Sequence, residues 1–306
     1  MPKWEKLGLV YCASGETDWA QSHAYVPTTI MLDEKRIRVY VAFLDQHQIG
    51  RVGYVDVEAA NPLRVLQVSP SAVLDVGEPG TFDDHGVTPV WLLRNHRKIY
   101  LFYVGWQLSL CGRYTLLLGR VVSEDGGETF KRCSRVPLLE RSDAELYIRS
   151  AASLLVENAT WKLWYVAGDR WIKKRKKEVP TYNIRYLEST DGVAWGTRGR
   201  VCIETVGPDE FGFGRPFVIK DDGLYKMWYS IRTMTKDYRL GYAESKDGIS
   251  WTRLDEEVGI DVSKTGWDSE MVCFPCIQRT LYGTYLFYNG NNYGKTGFGV
   301  ARLVEE

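Results

Sequence analysis

The sequence lacks several features that define large classes of proteins. Lys plus Arg and Asp plus Glu both number 39, so the formal net charge is zero and no overall field favours nucleic acid as a partner. No apolar run is long enough to span a bilayer, and the first residues, MPKWEKLGLVYCASGETDW, carry charges where a secretory signal has its apolar stretch. We therefore expect a cytoplasmic protein with neither a membrane nor a nucleic acid as partner.

Cysteine is sparse and irregularly spaced. The six cysteines, at positions 12, 111, 133, 202, 273 and 276, show no disulfide framework, and a chain of 306 residues can bury its own core. Cys273 and Cys276 form a C-x-x-C motif, but no second pair follows, and residues three apart on a strand point to opposite faces. We therefore expect reduced cysteines, no metal site and no cofactor.

Helical periodicity is almost absent, and internal repetition takes its place. Three segments share a Ser-x-Asp-Gly phrase followed by an aromatic residue: VVSEDGGETF (121–130), YLESTDGVAW (186–195) and YAESKDGISW (242–251). Asp-Gly supplies the positive φ that a tight hairpin needs, so each phrase predicts a turn between strands. A run rich in Trp and Tyr occurs five times: RIRVYVAFLD, KIYLFYVGW, TWKLWYVAGDRW, LYKMWYSIR and TYLFYNGN.

An apolar strand carrying a proline or a small residue lies upstream of each aromatic run. These strands are centred about 60 residues apart, on Pro27, Pro89, Ser150, Pro216 and Pro275. Five units of four strands cover the chain, except that the last unit has three and the N-terminal KWEKLGLVYC can supply its fourth. The sequence therefore predicts one all-β domain over residues 1–306, a five-bladed β-propeller of four-stranded antiparallel blades, with the N-terminal strand closing the last blade.

Propeller geometry predicts where polar side chains meet. The start of each innermost strand and the end of the second strand lie on one face, near the central channel. Acids begin four of the inner strands, and the remaining one begins with Ser22; these acids are Asp84, Glu145, Glu210 and Glu270. Burying many polar groups is costly unless they are paired or used, so the set predicts a site, although an ion pair between blades is the alternative for any single acid.

Imidazole, guanidinium and aromatic groups fall on the same predicted face. The predicted substrate-binding residues are His23, His85, Arg149, Arg215, Arg232, Trp106, Trp171, Trp267 and Asn291. The tryptophans are candidate platforms for a sugar ring, with packing between blades as the alternative. The basic run KKRKK (173–177) lies on this rim too, either as a solvated surface or as an attractor of an anionic substrate.

The sequence resembles the five-bladed propeller glycosidase superfamily, which includes arabinanases, invertases, levansucrases and mannoside phosphorylases. The segments that carry the resemblance are the aromatic strands, the Ser-x-Asp-Gly turns, FDDHGVTP, GRPFVI, GWDSEM and YNGNNYGKTGFG, and they span essentially the whole chain. The resemblance implies a catalytic acid at Glu145 and a supporting carboxylate at Asp84. The sequence departs from the pattern of the superfamily in the first blade, where Ser22 and His23 stand in place of the expected Asp. Asp18 lies just upstream.

Most glycosidases need two carboxyl groups, one to protonate the leaving oxygen and one to act as base or nucleophile. We therefore expect a glycosidase-like enzyme, a hydrolase or a phosphorylase of carbohydrate or polysaccharide metabolism, that uses Glu145 with Asp84 or Glu270 as catalytic groups. Its expected substrate is a small carbohydrate, either neutral or carrying a phosphate or nucleotide.

Two alternatives remain open. A propeller without its first-blade acid can be a noncatalytic sugar-binding protein. The same fold can also serve unrelated chemistry, in which His23 and His85 act as an acid/base pair or as metal ligands.

Overall fold

The computed structural model describes residues 2–110, 113–174 and 177–305, and of Asp169 it describes the backbone alone. Strands dominate these ranges, which confirms the all-β prediction. The described helical segments are a 3₁₀ turn at Asp255–Glu257 and a short helix, α1, at Asn291–Gly294. No described helix has the length and apolar character needed to cross a membrane.

Antiparallel pairing joins neighbouring strands into groups of four. The first group contains β2 (Ser22–Asp33), β3 (Arg36–Leu44), β4 (Gly50–Glu58) and β5 (Val65–Val68). The second group contains β6 (Val87–Asn95), β7 (Lys98–Leu108), β8 (Tyr114–Ser123) and β9 (Lys131–Arg132). The third group contains β10 (Ile148–Glu157), β11 (Thr160–Lys174), β12 (Lys177–Ser189) and β13 (Arg200–Ile203).

The fourth and fifth groups follow the same pattern. The fourth group contains β14 (Glu210–Asp221), β15 (Leu224–Thr233), β16 (Arg239–Ser245) and β17 (Thr252–Arg253). The fifth group contains β18 (Cys273–Thr280), β19 (Gly283–Asn289), β20 (Phe298–Glu305) and β1 (Lys3–Tyr11). The N-terminal strand β1 therefore pairs with the C-terminal strand β20, which brings the two ends of the chain into one sheet.

The first strands of the groups meet in the middle of the molecule. β2 contacts β6, β6 contacts β10, β10 contacts β14, β14 contacts β18, and β18 contacts β2. These contacts form a cycle, although the hydrogen-bonded sheets themselves do not close. Two parallel bridges link neighbouring groups near the strand starts: β8 pairs with β10, and β12 pairs with β14.

Each first strand carries an irregularity where it passes the centre. The antiparallel register between the first and second strand shifts there in all five groups. A β-bulge of this kind redirects a side chain away from the regular alternation. The residues at the shifts are Val26, Val90, Ala151, Arg215 and Phe274, and all of them except Val90 have a positive φ.

Arg215 connects three of these strands through its guanidinium, although it belongs to a fourth. Its Nη1 donates to the carbonyl oxygens of Pro27 (2.6 Å) and Phe274 (3.1 Å). Its Nη2 donates to Thr28 Oγ1 (2.9 Å) and to the carbonyl oxygen of Val90 (3.3 Å). The side chain is 1% exposed, so it closes the centre as a buried tie between β14, β2, β6 and β18.

The Ser-x-Asp-Gly turns hold neighbouring groups together. Asp247 Oδ1 accepts hydrogen bonds from the backbone N–H groups of Ile249 and Ser250, which lower the pKa of its carboxyl group. The carbonyl oxygen of Gly248 in the same turn accepts a hydrogen bond from Trp164 Nε1 of the third group. The aspartates of these turns therefore stabilise the turn backbone, as Asp-Gly hairpins require.

The C-x-x-C cysteines lie on β18, on either side of its register shift. Cys273 and Cys276 are both buried, and neither is in a disulfide. Cys12, Cys133 and Cys202 also carry free thiols, while Cys111 lies outside the described residues.

Replacing Arg215 by Met should destabilise the fold strongly. The substitution keeps much of the side-chain length but leaves three carbonyl oxygens and the Thr28 hydroxyl without their donor, so we expect a loss of about 3 kcal/mol or more. The measurement is the free energy of unfolding from chemical denaturation. Arg64→Met, at an exposed arginine paired with Glu58, is the matched control, and equal stability of the two variants would contradict the central role of Arg215.

Candidate functional site

Two adjoining cavities lie where the first strands meet. The axial cavity has a volume of about 410 Å³, and the five bulge residues, from Val26 to Phe274, form its floor. The outer cavity has a volume of about 440 Å³ and is lined by His23, His47 and His85. Trp106 and Arg113 line both, so the two cavities form one continuous candidate site.

Tyrosine dominates the wall of the axial cavity. Tyr114 begins β8, Tyr182 lies in β12, Tyr238 directly precedes β16, and Tyr293 lies in α1 between β19 and β20. Each of the four therefore comes from the region joining the second and third strands of a different group. Tyr25, on β2, lines both cavities, and its hydroxyl lies 3.2 Å from Thr88 Oγ1.

Arg232 ends in the same cavity, at the C-terminal part of β15. Its guanidinium lies 4.3 Å from the ring centroid of Tyr182, 4.4 Å from that of Phe211 and 5.8 Å from that of Tyr238. Contacts at these distances are cation–π interactions. Nη1 donates to the carbonyl oxygen of Pro180 (2.8 Å), and in the described part of the chain no carboxylate pairs with this arginine.

The two predicted histidines lie at the outer cavity. His23 Nδ1 is 2.9 Å from Ser22 Oγ, and the residue has a φ of 66°. Burial, and secondarily the charge of Lys295, lowers the pKa of His23 to about 4, so its imidazole is neutral at pH 7. His85 is exposed. No cluster of three or more His, Cys, Asp or Glu suited to a metal ion occurs among the described residues, although three histidines line this cavity.

Glu145, the expected catalytic acid, lies outside both cavities in a network of ion pairs. Its carboxylate is fully buried and accepts hydrogen bonds from Tyr165 Oη (2.8 Å), Arg185 Nη1 (3.0 Å) and the backbone N–H of Gly199 (2.9 Å). Arg149 Nε lies 2.5 Å from its other side. The oxygens of Glu145 are thus occupied by these partners and the residue lines neither cavity, while its expected role as the catalytic acid stays a prediction.

The same network recurs in other groups. A tyrosine on the second strand donates to a buried acid, and a cation from the outer strand pairs with that acid. In the second and fifth groups the sets are Asp83 with Tyr103 and Arg132 and Asp268 with Tyr288 and Lys6, whereas in the fourth group the half-buried Asp255, which follows β17, pairs with Tyr229 and Arg253. Such pairing satisfies the buried charge, so repeated acids near the strand starts belong to the scaffold.

The other two predicted catalytic carboxylates also lie away from the cavities. Asp84 Oδ2 accepts a hydrogen bond from the backbone N–H of Gly80 within its own loop (2.8 Å). Glu270 is exposed, and its backbone N–H donates to Asn291 Oδ1 (2.8 Å). The upstream alternative, Asp18, is exposed as well. Among the described side chains that line either cavity, none is Asp or Glu.

Arg149 and Asn291 also serve the scaffold. Arg149 donates from Nη2 to the carbonyl oxygen of Gly196 (2.7 Å) besides its pairing with Glu145. Asn291 is 8% exposed and stabilises the segment before β18, because its Oδ1 accepts hydrogen bonds from the backbone N–H groups of Glu270 and Met271. The structure thus places neither residue on a cavity wall.

The predicted tryptophans divide between the site and the core. Trp106 lines both cavities, and its Nε1 donates to Thr88 Oγ1 (3.0 Å). The ring of Trp171 packs against that of Tyr114, with 5.3 Å between centroids, behind the cavity wall. Trp267 stacks on Tyr288 at 5.2 Å, within the core of the fifth group.

The described lysines of the basic run lie at the end of β11 and the start of β12. Residues 175–176 lie outside the described residues, whereas Lys177 lines the axial cavity. Lys174 Nζ donates to the carbonyl oxygen of Thr233 and lies 5.0 Å from the ring of Phe211. The run therefore contributes one described lysine to the cavity wall.

Sequence reasoning missed the tyrosines at 114, 182, 238 and 293, as well as Arg113. In an antiparallel group the third strand starts on the same face as the second strand ends, so the joining segments reach the site. A tyrosine near the start of the third strand in four of the five groups was the available signal. These residues change the character of the site from carboxylate-lined to aromatic and cationic.

No protein-family model matches the chain. A Mycobacterium tuberculosis (strain ATCC 25618 / H37Rv) protein described as "Uncharacterized protein Rv1502" is 34% identical over 300 residues, which cover 98% of this chain and 99% of that protein. "Uncharacterized protein MT1551" of strain CDC 1551 / Oshkosh matches over the same length at the same identity.

Several solved structures with a similar fold are described as glycoside hydrolases. A "Glycoside hydrolase" superposes with a TM-score of 0.72 at 17% identity and covers 98% of this chain and 90% of its own. A thermostable family-43 glycoside hydrolase gives 0.68 at 18% identity, covering 95% and 93%. An endo-arabinase from Bacteroides thetaiotaomicron VPI-5482 gives 0.65 at 12% identity, covering 98% of each chain. At these identities the likeness is one of fold.

Glu145→Gln should lower stability. The amide keeps the shape but leaves Arg149 and Arg185 without their counter-charge, so we expect a loss of about 3 kcal/mol in the free energy of unfolding, measured by denaturant titration. Glu140→Gln, at an exposed glutamate nearby, should leave stability unchanged. An unaltered free energy of unfolding for Glu145→Gln would contradict the structural assignment.

His23 should make stability depend on pH between about 6.5 and 4. The ordinary imidazole pKa of the unfolded chain is near 6.5, and that of folded His23 is about 4. The unfolded state therefore binds the proton first, so stability is full above pH 6.5 and falls as the pH drops towards 4, by less than about 3 kcal/mol because the partly exposed ring is screened by solvent. His23→Gln should flatten this part of the stability profile, whereas His96→Gln, at an exposed histidine, should not. Identical profiles for the wild type and His23→Gln would refute the assignment.

Proposed function

The chain belongs to the same protein family as Rv1502 of Mycobacterium tuberculosis, and we propose that it is a carbohydrate-active protein that binds a small glycoside in the axial cavity. Its fold is the glycosidase-like propeller that its sequence resembles. The single observation that carries this proposal is the wall of that cavity, where tyrosines and a tryptophan surround a space of about 410 Å³. Aromatic faces and hydroxyl groups together suit a ligand that presents both C–H faces and hydroxyls.

The architecture that we propose is a single domain of five blades. Its support is the cycle of contacts among the first strands β2, β6, β10, β14 and β18, together with the pairing of β1 with β20. In such a ring the central bulges face one axis, and the segments joining second and third strands gather on one side of it. A glycoside bound there would contact several blades at once.

The site favours sugar binding over carboxylate catalysis. Glu145 is held in a buried network, and Asp84 and Glu270 lie away from the cavity walls. Two carboxyl groups across one glycosidic bond, which most glycosidases use, have no counterpart among the described cavity side chains. The geometry therefore supports the sugar-binding alternative more than the carboxylate mechanism that the resemblance implies.

A second candidate function is catalysis by imidazole at the outer cavity. Three of the four histidines of the chain line this one space, and the low pKa of His23 keeps its ring in the basic, unprotonated form. A neutral imidazole within reach of a ligand can accept a proton from a hydroxyl group. His85, exposed at the same cavity, is the corresponding candidate acid.

Trp106→Ala should weaken carbohydrate binding because Trp106 offers its ring to both cavities. Titration calorimetry with a panel of methyl glycosides and disaccharides is the measurement, and we expect about a tenfold loss of affinity for any glycoside that binds the wild type. Tyr282→Ala removes a partly exposed aromatic ring far from both cavities and should change nothing.

The outcome of the same titrations separates the candidates. If the wild type binds neither a glycoside of the panel nor an acidic sugar, the proposed function fails. If the bound sugar is converted, as mass spectrometry of the mixtures would reveal, then the imidazole mechanism gains support over simple binding.

A further inference from the structure

Arg232 is a buried cation with no carboxylate partner among the described residues. Its side chain is 5% exposed, and in the described part of the chain its hydrogen bonding is confined to the carbonyl oxygen of Pro180, while its Nε has no partner. The rings of Tyr182 and Phe211 lie within 4.5 Å of the guanidinium and shield it from water. A buried charge without a counter-charge is costly, so a ligand anion at this position would offset the cost.

Four tyrosine hydroxyls share the cavity with this guanidinium. In the described part of the chain, no protein group is hydrogen-bonded to the hydroxyls of Tyr114, Tyr182, Tyr238 or Tyr293, all of which line the axial cavity. Burial raises the pKa of Tyr114 to about 12 and raises those of Tyr238 and Tyr293 above their ordinary value. These three groups are therefore protonated at neutral pH and are available as donors.

Negatively charged side chains are missing from the described part of the same wall. None of the described side chains that line the axial cavity is a carboxylate, and Lys177 and Arg113 add positive charge near its edge. A guanidinium has donors only, and a tyrosine hydroxyl can donate. The wall thus presents an excess of hydrogen-bond donors and of positive charge to whatever enters.

We propose that Arg232 and the surrounding tyrosine hydroxyls form an oxyanion subsite, which holds a carboxylate or phosphate group carried by the carbohydrate ligand. This inference rests on the proposed function, since it assigns a chemical class to the ligand of the same cavity. The ligand is then an acidic sugar, either a uronic acid or a sugar phosphate, and the shared chemistry is an oxygen-rich anion held by charge-assisted hydrogen bonds.

The geometry of the subsite explains how a ligand anion is bound beside Arg232, inside the axial cavity. The ring of Tyr238 packs against that of Tyr293 with 5.1 Å between centroids, so the two residues hold each other on one side of the cavity. Tyr182 lies on another strand and holds the guanidinium by its ring face. An anion reaching Arg232 therefore enters a space in which water is largely replaced by fixed donors, where electrostatic attraction is stronger than in bulk water.

The test compares charged and uncharged ligands on the full-length protein by titration calorimetry at low ionic strength. The probes are inorganic phosphate, D-glucuronate, D-glucose 6-phosphate and the neutral methyl α-D-glucoside. We expect at least one of the sugar anions to bind about tenfold more tightly than the neutral glucoside, and Arg232→Gln to remove that difference. Arg64→Gln removes the same charge from an exposed position and should preserve it.

Each outcome decides between the two proposals. If neutral glycosides bind and the anionic group adds no affinity, the oxyanion subsite is refuted and the proposed function stands. If inorganic phosphate binds through Arg232 but no sugar of either kind does, an anion site at Arg232 stands, whereas the acidic-sugar ligand and the proposed function are both refuted. Preference for glucuronate over glucose 6-phosphate, or the reverse, identifies which anion the subsite fits.

A second set of variants protects the test against misfolding of Arg232→Gln. Tyr238→Phe and Tyr293→Phe each remove one donor hydroxyl without changing charge, and each should weaken binding of the sugar anion by a few-fold while leaving the neutral glucoside unaffected. Tyr282→Phe, outside the cavity, is the matched control. Unchanged affinity for the sugar anion in both cavity variants would overturn the inference.

Discussion

The structure depends on one buried guanidinium at its centre. Arg215 donates to backbone carbonyl oxygens of β2, β6 and β18 while its own backbone belongs to β14, so four of the five first strands share one cation. No carboxylate is among its described partners, and burial lowers its pKa. Carbonyl dipoles aimed at one point carry the counter-charge instead. Those carbonyl oxygens are available as acceptors only where the strands bulge, so the bulges and the arginine stabilise each other. Together they form the floor of the axial cavity.

A second constraint explains why the acids near the strand starts are not at the site. Each buried acid of this kind accepts a hydrogen bond from a second-strand tyrosine, as in Glu145 with Tyr165 and Asp268 with Tyr288, and is balanced by a cation. The first group has Phe43 at the corresponding position of its second strand, with Trp19 packed against its ring at 5.3 Å. In the first group, where the tyrosine hydroxyl is missing, the contact between Phe43 and Trp19 takes the place of the tyrosine–acid hydrogen bond. The repeated acid is thus part of how a group is stabilised.

The sequence predicted the scaffold better than the site. Repetition of the aromatic strands and Asp-Gly turns was sufficient to predict strand groups and to pair KWEKLGLVYC with the last of them, because those features recur for the same packing reason in each unit. Counting back from the central residue of each first strand put Asp84 and Glu145 in comparable places. In the structure the buried equivalent of Glu145 is Asp83. A shift of one residue exchanges a buried side chain for a more exposed one. These acids lie in the turns that precede β6 and β10, and counting back from a strand cannot detect a difference in the length of the turn before it. The tyrosines of the cavity escaped notice because the segments that carry them differ in length between units.

The difference between floor and wall follows from the same physics. The floor is built from strands whose hydrogen bonding fixes them, so its residues are mostly small or apolar, such as Ala151 and Val90. The wall is built from joining segments, which tolerate insertions, as the long β11–β12 hairpin shows. Recognition chemistry can therefore vary in the wall without disturbing the closure at Arg215. Arg232 stands at the boundary: its strand β15 belongs to the rigid scaffold, whereas its ring neighbour Tyr182 comes from the extended hairpin, so a group bound to this cation would be held by both parts of the fold.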